Sequence, residues 1–369
     1  MGLDDLHGFL HGKKGDGHVA WGYYHTGCRV FRQPVTSHVD INVRSAEFVP
    51  TALVPRMILV QSLLTETDLA ADFTASFAAR RLAEKFFYWF PLSVRAWLAL
   101  CSDGAYRNYV RSRSLIARSA GDVIGAIPSG VVEVLSLGSG QGDKDLLVLQ
   151  AMARRGDLRA SYVPVDTSQS LLELACRGAF DAGFATRGIK ADFTRPDHLA
   201  ALAAPAATPP RLVLLVGNTL GAFDPLAEAR ELHDLLRPQD LLLVDGEIYD
   251  ARRTVAGYDN PLNRRFAWAP LEAVGIGAAD GDLVFEDVID ERRPGLHVVR
   301  KHFQAKREVA AKLGGEEQLV RAGERLAMNH SYKYDVDAFP RILTEVGLTI
   351  RWRGQSEDQR FQMVLAERS

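Results

Sequence analysis

Three glycines and a lysine follow a short apolar run in "VLSLGSGQGDKDLL", Val134 to Leu147, a composition that lets backbone amides approach a ligand closely. A triphosphate loop requires GxxxxGK followed by Ser or Thr. Here Lys144 follows Asp143, and no hydroxyl residue comes after it to bind magnesium. A dinucleotide fingerprint requires GxGxxG, whereas Gly138, Gly140 and Gly142 give GxGxG. The compact form brings backbone to a ligand after a first strand without arranging a helix N-terminus around a pyrophosphate.

Two acidic positions extend the pattern. "YVPVD" ends in Asp166, where a carboxylate accepts hydrogen bonds from both hydroxyls of a ribose; the alternative is that it caps the helix beginning near Ser168. "KADF" then supplies Asp192, a carboxylate for an adenine amino group, beside Phe193, a ring that stacks on the base. Glycines, ribose acid and adenine clamp thus follow three successive predicted strands, the order that one Rossmann-like site demands. The GxGxG spacing is typical of loops that bind S-adenosylmethionine in class I methyltransferases.

The elements that must hold these residues are legible around them. "VVEVLSL", "ASYVPVD", "RLVLLVG" and "DLLLVDG" are continuous apolar runs of strand length, as expected for strands buried on both faces. Helical segments such as "SQSLLELACRGAFDAG" and "PLAEARELHDLL" alternate with them, which predicts right-handed βαβ units and a parallel sheet. After Tyr249 the alternation breaks. "GDLVFEDVIDERRPGLHVVRKHFQ" reads as two strands about a Pro294-Gly295 turn, followed by a charged stretch to Arg325. "VDAFPRILTEVG" predicts a last helix with Pro340 in its first turn, before strands "LTIRWRG" and "RFQMVLAE". Upstream, Pro50 to about Ile127 reads as helical, "LVPRMILVQSLL" included, and Arg107, Arg111, Arg113 and Arg118 read as a solvated helix face.

Composition bounds the partners. The formal net charge of -2 over 369 residues argues against a polyanion, so nucleic acid is not the expected partner. Cys28, Cys101 and Cys176 lie far apart with no CxxC pair, which fits a reducing compartment. The first residues are too polar and glycine-rich for a signal segment, and no apolar run is long enough for a membrane span. The expectation is a cytoplasmic protein without a metal, since His7 and His11, though spaced HxxxH, stand beside Gly8 and Gly12. Nothing in the sequence signals the oligomeric state.

The run "LGSGQGDK", "YVPVDTS", "ADF", "VGNTLGAFDP", "LLRPQDLLLVDG", "GYDN" and "SYKY" closely resembles the histidine Nα-methyltransferases of ergothioneine biosynthesis and their relatives, which include dimethylallyltryptophan N-methyltransferases. The resemblance covers about Phe86 to the C-terminus. It implies an α/β fold: a class I, Rossmann-like S-adenosylmethionine-dependent methyltransferase core over 129–250 and 336–369, with an inserted α+β substrate domain over 251–335. An N-terminal helical lid would occupy 81–128, and residues 1–80 form an extension of unassigned role. Carried over by position, Gly138, Ser139 and Gly140 form the cofactor loop and Lys144 follows it. Asp166 is the ribose acid, Asp192 and Phe193 hold adenine, and Tyr88 reaches the methionine end. Two departures stand on this side: Trp89 where the family has Asp after that tyrosine, and Ser136 where it often has an acid.

The acceptor half departs further. The family's asparagine that grips the α-amino acid falls on Ala222, and its glutamate facing the histidine imidazole falls on Asn329. Tyr258 of "GYDN" and Ser331 are retained, and Tyr106 of "GAYRNY" matches a lid tyrosine. Losing a partner from a site built to grip a polar group removes powers of ten in discrimination. The expected acceptor is therefore a small amine other than histidine, oriented by Tyr258 and Tyr106, with Asp259 as a more remote candidate. Competing expectations are methyl transfer to oxygen, a guanidine or a hydroxylamine, and a non-catalytic cofactor-binding accessory protein. Methylation of nucleic-acid bases or protein amides is disfavoured, because "GNTLGAF" replaces the Asn/Asp-Pro-Pro-aromatic box of such enzymes.

Overall fold

The computed structural model describes residues 30–33 and 58–369, apart from 105, 204–208 and 314–315. His7, His11 and Cys28 lie outside the described residues. In chain order the strands of the main sheet are β1 (Val30–Gln33), β2 (Ile58–Ser62), β3 (Gly130–Leu137), β4 (Leu158–Asp166), β5 (Ala185–Lys190), β6 (Arg211–Leu215) and β7 (Leu241–Glu247). An inserted sheet contains β8 (Gly281–Ile289), β9 (Leu296–Ala305) and β12 (Arg325–Tyr334), and β10 (Val309–Leu313) pairs with β11 (Glu316–Val320). The last strands, β13 (Leu348–Gln355) and β14 (Phe361–Arg368), return to the main sheet.

The main sheet has nine strands in the order β1-β2-β5-β4-β3-β6-β7-β14-β13. From β2 through β7 every neighbour is parallel, and only β14 runs against the others. This is a class I, Rossmann-like arrangement, with the reversed strand between β7 and β13. The apolar runs are continuous because helices cover both faces. On β3, Val132 and Val134 join one apolar cluster and Leu135 and Leu137 the other. The first face is covered by α3 (Arg107–Gly125), α4 (Asp143–Arg155) and α5 (Gln169–Asp181), the second by α7 (Pro225–Leu235) and α10 (Ala338–Glu345).

A third cluster lies away from the sheet. It joins α1 (Glu66–Ala78), the 3-10 turn Glu84–Phe87 and α2 (Pro91–Ser102) to α9 (Pro261–Glu272) and to the insert strands β8, β9 and β12. Phe73, Phe77, Phe86 and Phe303 are fully enclosed in it. The segment before the first core strand and the insert therefore share one core, and the space between that core and the sheet becomes the site.

Three local outcomes differ from the sequence pattern or refine it. "LVPRMILVQSLL" supplies β2 rather than helix, because a short apolar run satisfies either period and here it extends the parallel sheet beyond β5. The following Thr65 starts α1 with a reciprocal capping box to Asp68. The charged stretch before Arg325 contains the β10–β11 pair, whose Ala311 and Val320 turn into the third cluster. Two of the α3 arginines form ion pairs, Arg111 with Asp358 at 2.7 Å and Arg118 with Glu357 at 3.1 Å, both on the turn before β14. Pro340 sits in the first turn of α10 as its chemistry requires. Among the described residues, no helix is long and apolar enough to cross a membrane.

Candidate active site

A cavity of about 250 Å³ opens at the carboxyl ends of β3 to β7, where open parallel sheets place ligands. Its lining includes Tyr88, Gly138, Ser139, Gly140, Lys144, Asp166, Asp192 and Phe193 on one side. Tyr106, Ala222, Tyr258, Asn329 and Ser331 line it as well. Of the sequence-predicted site residues only Asp259 is missing. It pairs with Arg264 at the surface, because the last turn of α8 (Thr254–Tyr258) points Tyr258 inward and the next residue outward.

The glycine loop is shaped by left-handed backbone. Gly142 caps α4 at φ 75°, and a Cβ there would lie 2.7 Å from the Ala175 Cβ of α5. A Cβ on Gly138, at φ 64°, would crowd Thr219 at 3.3 Å on the cavity wall. Asp166 closes the loop from β4: its Oδ2 accepts from Gly140 N at 2.8 Å and its Oδ1 from Ser168 N at 2.8 Å. This carboxylate, which lines the cavity, thus ties the glycine loop to Ser168, the residue at the N-cap of α5. Burial pushes this carboxyl up to about 6, against the pull of those backbone amides.

Asp192 is held by Lys85 at 2.9 Å and by the Thr194 hydroxyl at 2.6 Å. Burial opposes its charge, yet these partners keep the carboxyl below the usual carboxylate range. Phe193 stands edge-on to Phe223, with centroids 5.5 Å apart. Lys144 reaches the Val216 carbonyl at 3.5 Å and lies 5.7 Å from the Tyr109 ring centroid. Ser139 leaves a buried Oγ without a partner among the described residues, as a loop shaped for a polar ligand would. Where Ser136 replaces an acid, the buried Asp145 lies beside it and accepts from Tyr162 at 2.5 Å.

The acceptor side carries a buried polar array that pattern reading does not find. Lys333 on β12 pairs with Glu247 at the end of β7 at 2.8 Å and donates to the Tyr258 hydroxyl at 2.6 Å. Asn108 donates to Glu247 at 2.5 Å, and Lys333 also reaches Ser331 at 2.8 Å. Asn218 has left-handed φ 60°, and its backbone N–H donates to the buried Asp245 at 2.7 Å. Its amide accepts from Glu247 N at 2.9 Å and donates to Ser331 at 3.1 Å. Burial raises the Tyr258 hydroxyl well above its usual range, so it remains protonated.

The far end holds Glu84, Lys301 and Asn329. Glu84 accepts from the Tyr88 hydroxyl at 3.0 Å, and burial raises its carboxyl while Lys301 pulls the other way. The pairing of β12 with β9 shifts register between Ala327 and His330, so Met328 and Asn329 together oppose Lys301. Such a bulge re-aims a side chain, here Asn329 toward the cavity. Lys333 belongs to the "SYKY" motif and Glu247 ends a recognisable strand, so these two carry a sequence signal. Glu84, Asn108 and Lys301 carry none, because only packing brings them together.

Parallel strand order, glycine loop and successive strand-end carboxylates define a class I methyltransferase core. Residues 66–368 match the family described as histidine-specific methyltransferase, SAM-dependent, and the chain belongs to that family. Its cofactor is S-adenosylmethionine. The chain is similar to the histidine N-alpha-methyltransferase of Mycobacterium tuberculosis (strain CDC 1551 / Oshkosh), with 31% identity over 162 residues. That match covers 42% of this chain and 48% of the relative, so the chain spans about half the length of the curated relative it matches. Among solved structures, it is similar to a Clostridium acetobutylicum S-adenosylmethionine-dependent methyltransferase at 11% identity and TM-score 0.37, covering 72% of this chain and 92% of that one. It is also similar to Burkholderia thailandensis 1,6-didemethyltoxoflavin-N1-methyltransferase at 12% identity and TM-score 0.39, covering 83% and 92%.

Proposed function

We infer that this chain transfers a methyl group to the nitrogen of a small amine, an amino acid or an amino-acid-derived intermediate other than histidine. One observation carries the reading: Tyr258 and Asn108, held from behind by the buried Lys333–Glu247 pair, line the same cavity as the glycine loop, while Ala222 and Asn329 occupy the positions at which relatives grip histidine. When bound, S-adenosylmethionine supplies an electrophilic methyl on a sulfonium. Asp166, the loop amides and Ser139 would hold its nucleoside, with Asp192 and Phe193 at the base.

The protein's own contribution is alignment and desolvation. Tyr258 is fixed by Lys333 and orients the acceptor through its hydroxyl without taking up a proton, since burial keeps that hydroxyl from ionising. The walls formed by Trp97, Tyr106 and Phe266 exclude water, which lowers the basicity of an entering amine and favours its neutral, nucleophilic form.

The test is incubation of the purified protein with S-adenosylmethionine and a panel of amines that includes L-histidine, with S-adenosylhomocysteine as the readout. Turnover with a non-histidine amine and background rates with histidine are expected. Histidine as the best acceptor overturns the choice of substrate. Cofactor binding without turnover of any amine overturns catalysis.

A further inference from the structure

Glu84, Lys301 and Asn329 line one end of the cavity, and each leaves hydrogen-bonding capacity unused. Glu84 spends Oε1 on Tyr88, while its buried Oε2 has no partner among the described residues. Asn329 is 6% exposed, and its Oδ1 is likewise without a partner among the described residues. Lys301, also 6% exposed, has its ammonium 5.8 Å from the Phe87 ring centroid and 5.7 Å from that of Tyr258. Among the described residues it makes no hydrogen bond or close ion pair. Buried polar atoms in native proteins are nearly always paired, so two orphaned oxygens beside the Lys301 ammonium at one end of a cavity mark a place that a ligand completes.

The charges decide which ligand. A carboxylate would suit Lys301 but meet the Glu84 carboxylate, and an ammonium or guanidinium would suit Glu84 but meet Lys301. The two buried ions balance each other without touching, and a third charge would stand uncompensated. The unpaired acceptors narrow the choice further: Glu84 Oε2 and Asn329 Oδ1 each call for an N–H from the ligand, while Lys301 Nζ can donate to a carbonyl and the Asn329 amide nitrogen bears on Glu84. A neutral imidazole has one N–H and leaves an acceptor unpaired, whereas a primary carboxamide presents one carbonyl and two N–H bonds, and a ureido group one carbonyl and three. We propose that this end of the cavity is a specificity subsite for an uncharged carboxamide or ureido group on the methyl acceptor, formed by Glu84, Lys301 and Asn329. Burial supports it by moving both ionisable partners toward neutrality, Lys301 down to about 8 and Glu84 upward.

The inference rests on the amine-methylation reading and names the part of the acceptor remote from its nitrogen. The test is calorimetric titration of the protein loaded with S-adenosylhomocysteine, using L-glutamine and L-citrulline as the amide and ureido probes, and L-glutamate, L-lysine and L-histidine as competitors of similar size. Either neutral probe should bind at least tenfold more tightly than every competitor. That ratio should fall to near one in both Glu84→Gln and Lys301→Met, with S-adenosylhomocysteine affinity unchanged as the sign that each variant is folded. A charged probe or histidine binding best, no probe binding at all, or a preference that survives both substitutions overturns the subsite. Selective binding of a neutral probe without turnover of any amine would overturn the methylation reading alone. Turnover that is indifferent to both substitutions would overturn the subsite alone.

Discussion

On the cofactor side of the cavity, Gly138, Gly140, Asp166 and Asp192 stand at the ends of neighbouring parallel strands, and Asp166 bonds to backbone amides while Asp192 adds Lys85 and the Thr194 hydroxyl. On the acceptor side, Glu84, Tyr258, Lys301 and Asn329 come from a 3-10 turn, a short helix and two antiparallel strands, and they meet through side chains. Backbone geometry tolerates sequence change as long as glycine and strand pattern persist. A side-chain constellation changes its chemistry with one substitution. The first side can therefore keep its ligand while the second is free to change, and the proposed change of acceptor would fall at Ala222 and Asn329.

The strongest challenge to this contrast is to unpair the acceptor side's buried ions. Lys333→Met leaves Glu247 enclosed without its ammonium, which should destabilise the fold by roughly 3 kcal/mol, read as a lower urea midpoint. An unchanged midpoint would mean that Arg360, 3.8 Å from Glu247, compensates alone. On the other side, Asp166→Ala removes the bonds to Gly140 and Ser168 and the proposed ribose contacts, and should weaken S-adenosylhomocysteine binding by on the order of 100-fold in calorimetry. Tyr258→Phe should separate the halves, lowering turnover by about tenfold while cofactor affinity stays within twofold.

Protonation sharpens the same contrast. With the Asp166 carboxyl at about 6, cofactor affinity should be full above that pH and fall up to tenfold per unit below it, if the anion is the form that accepts the ribose hydroxyls as proposed. In the free protein the sign is opposite. A native value raised above the ordinary carboxylate value favours the fold at pH below about 4, and that contribution is lost as pH rises through about 6. The smallest effect belongs to Asp259→Asn, which should leave turnover and affinity within twofold because this carboxylate pairs with Arg264 outside the cavity.

The strands before the glycine loop and Asp166 were readable because each is an apolar run ended by the residue in question, whereas β5, with Arg187 and Lys190 in it, was placed only as the strand expected before Asp192. The Pro294-Gly295 turn was readable for a similar reason, since Gly295 takes φ 85° between β8 and β9. Two residues explain what was not. Ile58 opens a strand, but "LVPRMILVQSLL" satisfies helical spacing equally well, and only an available parallel edge on β5 decides the matter. Asn329 reads as the loss of a charge, whereas the fold brings Glu84, a carboxylate from a distant segment, to the same end of the cavity.

By itself, the sequence determined the parallel core, the place of its glycine loop and the cofactor class, because these rest on local periodicity and on glycine conformations that few residues share. Only the tertiary structure decided what surrounds the acceptor. Lys301 and Asn329 are adjacent because a bulge in β12 sets two residues against one, and Glu84 joins them because α1, the 3-10 turn and the insert share an apolar core. Long-range packing assembles those charges, and no spacing along the chain encodes a distance that packing creates.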